Sequence, residues 1–168
     1  MKNRMFLIGL FGFFMLMSCV KEPPKLPEET QEGLMTFGCL VNGELVIQRC
    51  NNQRWDRLDG IYDSIKNQFL LITVTEYIDN DIRIFVSQPQ VGICVIDSAI
   101  FRPKNSSYYY VARNTGQMRF TRFDSGYASG TFEFDADGYE NRTHQLVPDK
   151  KIQVRKGVFD IKLNIANI

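Results

Sequence analysis

The six residues Thr131-Phe-Glu-Phe-Asp-Ala136 alternate between polar and apolar without a break. Successive side chains of an extended strand point to opposite faces, so Phe132, Phe134 and Ala136 share one side and Thr131, Glu133 and Asp135 the other. A helical period would scatter these residues around its axis, so the stretch reads as a strand with one dry and one wet face. The same period returns at Ile82, Ile84 and Val86, and again at Phe159, Ile161 and Leu163. Between Phe69 and Tyr77 it groups Leu70, Ile72 and Val74 on an expected inward face and Thr73 and Thr75 outside.

Turn chemistry separates these runs. Asn42-Gly43 is the strongest two-residue hairpin signal in the chain, joining Met35–Val41 to Glu44–Cys50. It pairs Val41 with Glu44 and Cys39 with Val46. Ile78-Asp-Asn-Asp81 precedes the Ile82 run, and Val91 to Phe101 reads as a strand bent near Gly92. After the Pro103-Lys-Asn-Ser106 loop, Asn114-Thr115-Gly116 reads as a turn between Tyr108–Arg113 and Gln117–Asp124. Asp137-Gly138 is expected to end the alternating strand, with Tyr139 to Lys150 a polar loop and Ile152–Arg155 and Val158–Leu163 the last strands. Asn51 to Lys66 reads as a short strand and turns. Short strands with Gly, Asn and Asp turns predict an all-β fold: an antiparallel β-sandwich or flattened barrel of about 8–10 strands.

The front of the chain is of another kind. Lys2 and Arg4 precede an apolar run from Met5 to Met17 that is shorter than the roughly 20 residues a membrane-spanning helix needs. Basic residues followed by a short apolar run have the form of a secretory leader. The run ends in Leu16-Met17-Ser18-Cys19, which resembles the lipobox of bacterial lipoproteins. The resemblance implies cleavage before Cys19 and acylation of its thiol and new amine. Several acyl chains on one residue would hold the protein firmly to a lipid bilayer, since each buried methylene contributes about 0.8 kcal/mol. The following Lys21-Glu22 resembles the signal that sends lipoproteins of Bacteroidetes to the outward leaflet of the outer membrane. The expected organisation is a leader over 1–18, an acylated Cys19 with a proline-rich linker over 19–33, and one β domain over 34–168. Three prolines in the linker favour an extended spacer, at about 3.1 Å per residue.

Charge excludes one class of partner. The 168-residue chain has 20 Lys and Arg against 19 Asp and Glu. Without Lys2 and Arg4 the balance is 18 against 19, or −1. Such a surface argues against nucleic acid. Of the four cysteines, Cys19 is assigned to lipid, leaving Cys39, Cys50 and Cys94. The tight hairpin sets Cys39 and Cys50 about 13 Å apart along the ladder, too far for a disulfide. Pairing of Cys94 with either stays open, with buried thiols as the default.

Three stretches, Thr36-Phe-Gly-Cys-Leu-Val-Asn-Gly43, Gly130-Thr-Phe-Glu-Phe134 and Lys156-Gly-Val-Phe-Asp-Ile-Lys162, together resemble an uncharacterised family of small lipoproteins common in Bacteroidetes. The resemblance implies a fold and a location; it brings no catalytic residues.

No catalytic constellation stands out, and no cofactor or metal is expected. His144 is the only histidine and lies in a polar loop. Glu133 and Asp135 share a strand face about 7 Å apart along the strand, a spacing that suits solvated charges better than a retaining acid pair. Gly126-Tyr-Ala-Ser-Gly130 lacks the spacing of a nucleophile elbow. Asp135-Ala-Asp137-Gly138, with Glu140 and Asn141 beyond, has the oxygen density of a calcium loop without its full spacing. Trp55 and Tyr109, from Tyr108-Tyr-Tyr110, are the candidate ligand-stacking aromatics. Ser64 and Ser98, in Asp-Ser-apolar triplets, are candidate O-glycosylation sites. The expectation is a non-enzymatic, surface-exposed binding or adhesion module whose partner is a glycan or an envelope protein. The alternative is a structural or accessory subunit of an outer-membrane complex.

Overall fold

A computed structural model describes residues 24–49, 56–75 and 80–166. The leader, Cys19, Lys21, Glu22, Cys50, Trp55 and the first half of the 78–81 turn, Ile78 and Asp79, lie outside the described residues. The described chain is all β. Its strands are β1 (Thr36–Val41), β2 (Glu44–Arg49), β3 (Asp56–Asp63), β4 (Gln68–Thr75), β5 (Asp81–Ser87), β6 (Gly92–Arg102), β7 (Tyr108–Phe123), β8 (Tyr127–Glu140) and β9 (Leu146–Ala166).

All nine belong to one sheet of order β2-β1-β9-β3-β4-β5-β6-β7-β8, and β8 also pairs with β9. The strands from β3 to β9 therefore close into a barrel, with the β1–β2 hairpin added beside β9. Every pairing is antiparallel except that of Gly60–Asp63 with Leu163–Ala166, which is parallel. The Asn42-Gly43 hairpin has the expected register, with Cys39 opposite Val46 and Val41 opposite Glu44. Both turn residues have positive φ, 50° and 87°, as a two-residue hairpin of this hand requires.

Aromatic residues fill the barrel. Phe37, Phe69, Phe120, Phe134 and Phe159 are each at most 1% exposed. Phe69 meets Phe120 edge-on at 5.2 Å between centroids, and Phe120 meets Phe159 at 5.8 Å, the edge-to-face geometry that ring quadrupoles favour. The inward sets Phe132/Phe134/Ala136, Ile82/Ile84/Val86 and Phe159/Ile161 face this core. Cys39 and Cys94 are buried free thiols.

Strand β4 reverses one expectation. Phe69, Leu71 and Thr73 point inward, while Leu70 and Ile72 are half-buried on the outside. Both of its faces are rich in apolar residues, so alternation cannot choose between them. The Phe69 ring decides, and Thr73 tolerates burial because its hydroxyl accepts the Ile82 N–H at 3.0 Å.

Two expected turns are bulges instead. β7 runs through Asn114-Thr115-Gly116, where the pairing register shifts and Asn114 has φ 54°. β8 continues past Asp137-Gly138 to Glu140, and β9 begins at Leu146, so the expected 139–150 loop shrinks to 141–145. β9 also passes through Lys156-Gly157, with Lys156 at φ 53°. Turn residues inside long strands here bend a barrel wall.

The segment before β1 does not stand free as a spacer. Residues 26–34 lie as a strap over the outer face of β8, β9 and β1. Pro27 and Leu26 pack on Gly38 and leave no room there for a Cβ. The fully buried Asp160 carboxylate accepts the N–H groups of Glu32, Gly33 and Leu34 at 3.2, 2.9 and 3.1 Å. It also accepts the hydroxyls of Thr30 and Ser129, both at 2.5 Å. Burial raises the pKa of this carboxyl, but the bonds from Ser129, Thr30, Leu34 and Gly33 outweigh it and hold Asp160 below the usual carboxylate range.

Candidate functional site

The strap marks one end of the barrel. The other end carries the aromatic residues that face solvent. Tyr110 pairs with Phe101 and packs on the core, so strand alternation turns its neighbour Tyr109 outward. Tyr109 pairs across strands with Tyr139, and Tyr139 with Leu146. The two tyrosine rings lie 5.6 Å apart with 25° between their planes. Arg102 sets its guanidinium 5.9 Å from the centre of the Tyr109 ring while reaching Asp81 at 3.5 Å. His144 meets the same ring edge-on at 5.9 Å, and its Nδ1 is 3.1 Å from the Tyr109 hydroxyl.

The loops around this cluster are fixed to one another. Asn141 donates its side-chain amide to the Ser106 carbonyl at 2.8 Å and its N–H to the Ser107 carbonyl at 2.9 Å. Glu140 accepts the Thr143 hydroxyl at 2.7 Å. His144 holds φ 56° and donates its N–H to the Glu140 carbonyl. The loop histidine, for which the sequence offered no partner, is thus held against Tyr109. Tyr108 carries Lys150 over its ring at 5.4 Å.

Inside the same end, the β1–β2 tip faces β6 and β7 across a cleft of about 300 Å³. Phe101, Tyr110, Val41, Leu45 and Ile152 supply its apolar walls, and Asn42, Asn80 and Glu44 its polar rim. Half-exposed rings with a cation, an imidazole and fixed amides nearby form a surface that stacks on a flat apolar face and hydrogen-bonds to hydroxyls.

The remaining sequence candidates fall elsewhere. Glu133 and Asp135 lie on the outer face of β8, where Glu133 accepts a bond from Gln117 at 2.8 Å and Asp135 pairs with Arg155 at 2.6 Å. Asp137 pairs with Lys151. The suspected calcium loop is therefore strand, and its alternate carboxylates cannot converge; no cluster that could hold a metal occurs among the described residues. Ser64 is exposed in the β3–β4 turn, beside Asp63, whose carboxylate caps Ile65 and Lys66. Ser98 is half-buried in mid-strand, opposite Phe85 and Arg113. Cys19 and Trp55 lie outside the described residues.

Sequence reasoning named Tyr109 but missed Tyr139. The signal was there: Glu133, Asp135, Asp137 and Tyr139 continue one outward parity, hidden by reading Asp137-Gly138 as a stop. Nothing local signals the cleft, or the bonds from the strap to Asp160, which join residues more than a hundred positions apart. No family profile, curated protein or solved structure matches this chain.

Proposed function

We propose that this chain is a lipoprotein of a bacterial outer membrane, anchored through acylated Cys19 and facing outward, that serves as a non-enzymatic binding module for saccharide. The leader, the Leu16-Met17-Ser18-Cys19 sequence and Lys21-Glu22 support the anchor and the address. The Tyr109–Tyr139 pair carries the ligand reading. Its rings are turned out of the barrel on β7 and β8 and accompanied by Arg102 of β6 and His144 of a loop tied back to Glu140. A site built on a rigid scaffold loses little freedom when a ligand docks. The pair also lies far from the strap, about 33 Å along β7 from Arg119 by strand rise, so an anchor at the strap end leaves it accessible.

The pairing of Glu133 with Gln117 and Asp135 with Arg155 supports a non-enzymatic role, because each carboxylate already serves a neighbour. The accessory-subunit reading draws on a different observation, the exposed aliphatic residues Val91, just before β6, and Ile93 and Val95 on it.

The test is a glycan-array screen of the wild-type protein, followed by titration of any bound saccharide against Tyr109→Ala and Tyr139→Ala. The expected result is at least a tenfold loss of affinity in each variant with the melting temperature kept within a few degrees, since a buried aromatic stacking contact contributes about 1.4 kcal/mol or more. Equal saccharide affinity in wild type and both variants overturns the site, and an array without a bound saccharide overturns the ligand class.

A further inference from the structure

One ladder row crosses five strands at the strap end. Ile93 of β6 pairs with Arg119 of β7, Arg119 with Thr131 of β8, Thr131 with Val158 of β9, and Val158 with Gly38 of β1. The strap covers one end of this row, where Leu26 and Pro27 lie on Gly38 and leave Val158 8% exposed. The other end is bare. Val91, Ile93 and Val95 point outward at 63%, 67% and 61% exposure, although this alternation normally places polar residues outside. Leu26, Pro27 and Ile93 line opposite sides of one shallow groove, together with Arg119 and Lys156. Both cations are exposed, and neither has an ion pair or hydrogen bond among the described residues. Two carboxylates share the groove: Glu133, which accepts a bond from Gln117, and Glu29 on the strap side.

Resting on the lipoprotein reading above, we propose that the β6 stripe Val91/Ile93/Val95, with Arg119 and Lys156, is the face that lies against the lipid surface. The position of the chain supports this. Seven peptide units join Cys19 to Leu26, a reach of at most about 25 Å. The row from Gly38 to Ile93 spans about 19 Å at ordinary strand spacing. An acylated Cys19 therefore confines the membrane to within reach of the stripe, and a short tether makes the contact effectively intramolecular. The chemistry agrees. Aliphatic side chains enter the headgroup boundary, and unpaired Arg and Lys beside them meet lipid phosphates. The contact would set the barrel down on its strap end with Tyr109 and Tyr139 directed away from the bilayer.

A protein partner is the rival occupant. β5 leaves β6 beyond the Phe85–Ser98 pair, so among the described residues Gly92–Ile96 is paired on one side only, by β7. A strand from another chain would suit that edge. The tether length favours lipid.

The experiment uses two tethers on vesicles of phosphatidylethanolamine and phosphatidylglycerol. In one, the full acylated protein is reconstituted. In the other, the chain from Cys19 onward is held by an N-terminal polyhistidine on a nickel-chelating lipid, so that tethering does not depend on native acylation. Quenching by acyl-chain bromine is read for Ile93→Trp and for Leu146→Trp at the far end, each against wild type with Trp55 kept. The expected result is at least twofold greater added quenching at position 93 than at position 146 with both tethers, reduced on adding Val91→Asp and Val95→Asp. Equal quenching at the two positions overturns the proposal. So does a photo-crosslinker at position 93 that yields a protein adduct in cells and no lipid adduct. If mass spectrometry finds Cys19 without acyl chains while the polyhistidine-held protein still quenches at position 93, the anchor reading fails and the lipid-facing surface stands.

Discussion

The carboxylate of Asp160 accepts the N–H of Gly33 at 2.9 Å, a bond between residues 127 positions apart. Together with the bonds from Thr30, Glu32, Leu34 and Ser129 it joins the strap to the barrel. Asp160→Ala removes a buried acceptor and leaves several donors unpaired, at a cost of about 3 kcal/mol. Urea denaturation should show a lower midpoint with an unchanged slope. Limited proteolysis should then cut first between residues 26 and 34, where the intact strap is protected.

Acid should loosen the same contact. The folded protein holds the Asp160 carboxyl below its ordinary value, so its contribution is complete above a pH of about 4 and is lost as pH falls through the lowered folded value. The protection of the Gly33 and Leu34 amides, as exchange rate relative to the intrinsic rate at each pH, should be high at pH 5 and fall on acidification below the ordinary carboxylate range. Protection that persists unchanged through this range would show that the amides are held by something other than the charged carboxylate.

Cys39 should resist alkylation. Burial pushes its thiol up to about 12, so the thiolate that reacts is scarce at neutral pH. Mass spectrometry after iodoacetamide treatment at pH 8 should find Cys39 unmodified in the folded protein and fully modified in guanidinium. Val46→Ala, which thins the cover across the hairpin, should raise its labelling rate.

Gly130 should not accept a side chain. A Cβ there would overlap the Arg119 carbonyl of the adjacent strand, and backbone of a closed barrel cannot move aside without breaking its ladder. Gly130→Ala is expected to lower stability by about 2 kcal/mol or more, an overpacking effect, with a matching fall in melting temperature. Gly43→Ala, where nothing lies within 4 Å but φ is 87°, should cost about 1 kcal/mol through backbone strain alone.

These features differ in how far the sequence reveals them. The Asn42-Gly43 hairpin was legible down to its register, because two turn residues fix a two-residue loop and the pairing follows. The inward faces of β5, β8 and β9 were legible because their opposite faces are polar. β4 was misread because Leu70 and Ile72 are as apolar as Phe69 and Leu71, and only the aromatic core separates them. Asn114-Thr115-Gly116 and Asp137-Gly138 mark backbone irregularity, but local residues do not distinguish a reversal from a bulge in a long barrel strand. Tyr109 was named from its run of three. Its partners Arg102, Tyr139 and His144 come from three separate segments, which meet only once the register is set. The strap was read as a spacer because Pro, Glu and Lys suggest solvent, while the residue that holds it, Asp160, stands at the other end of the chain.

β9 pairs with β8, β1 and β3 along its 21 residues. Every earlier strand is complete before this one emerges, yet none of the three can fill its open edge without it. The barrel therefore stays open, and its aromatic core lacks Phe159, until the last strand docks. Contacts this distant in sequence also slow folding. A circular permutant that begins with β9 brings this strand next to β1 and β3 in sequence and should refold faster after dilution from urea.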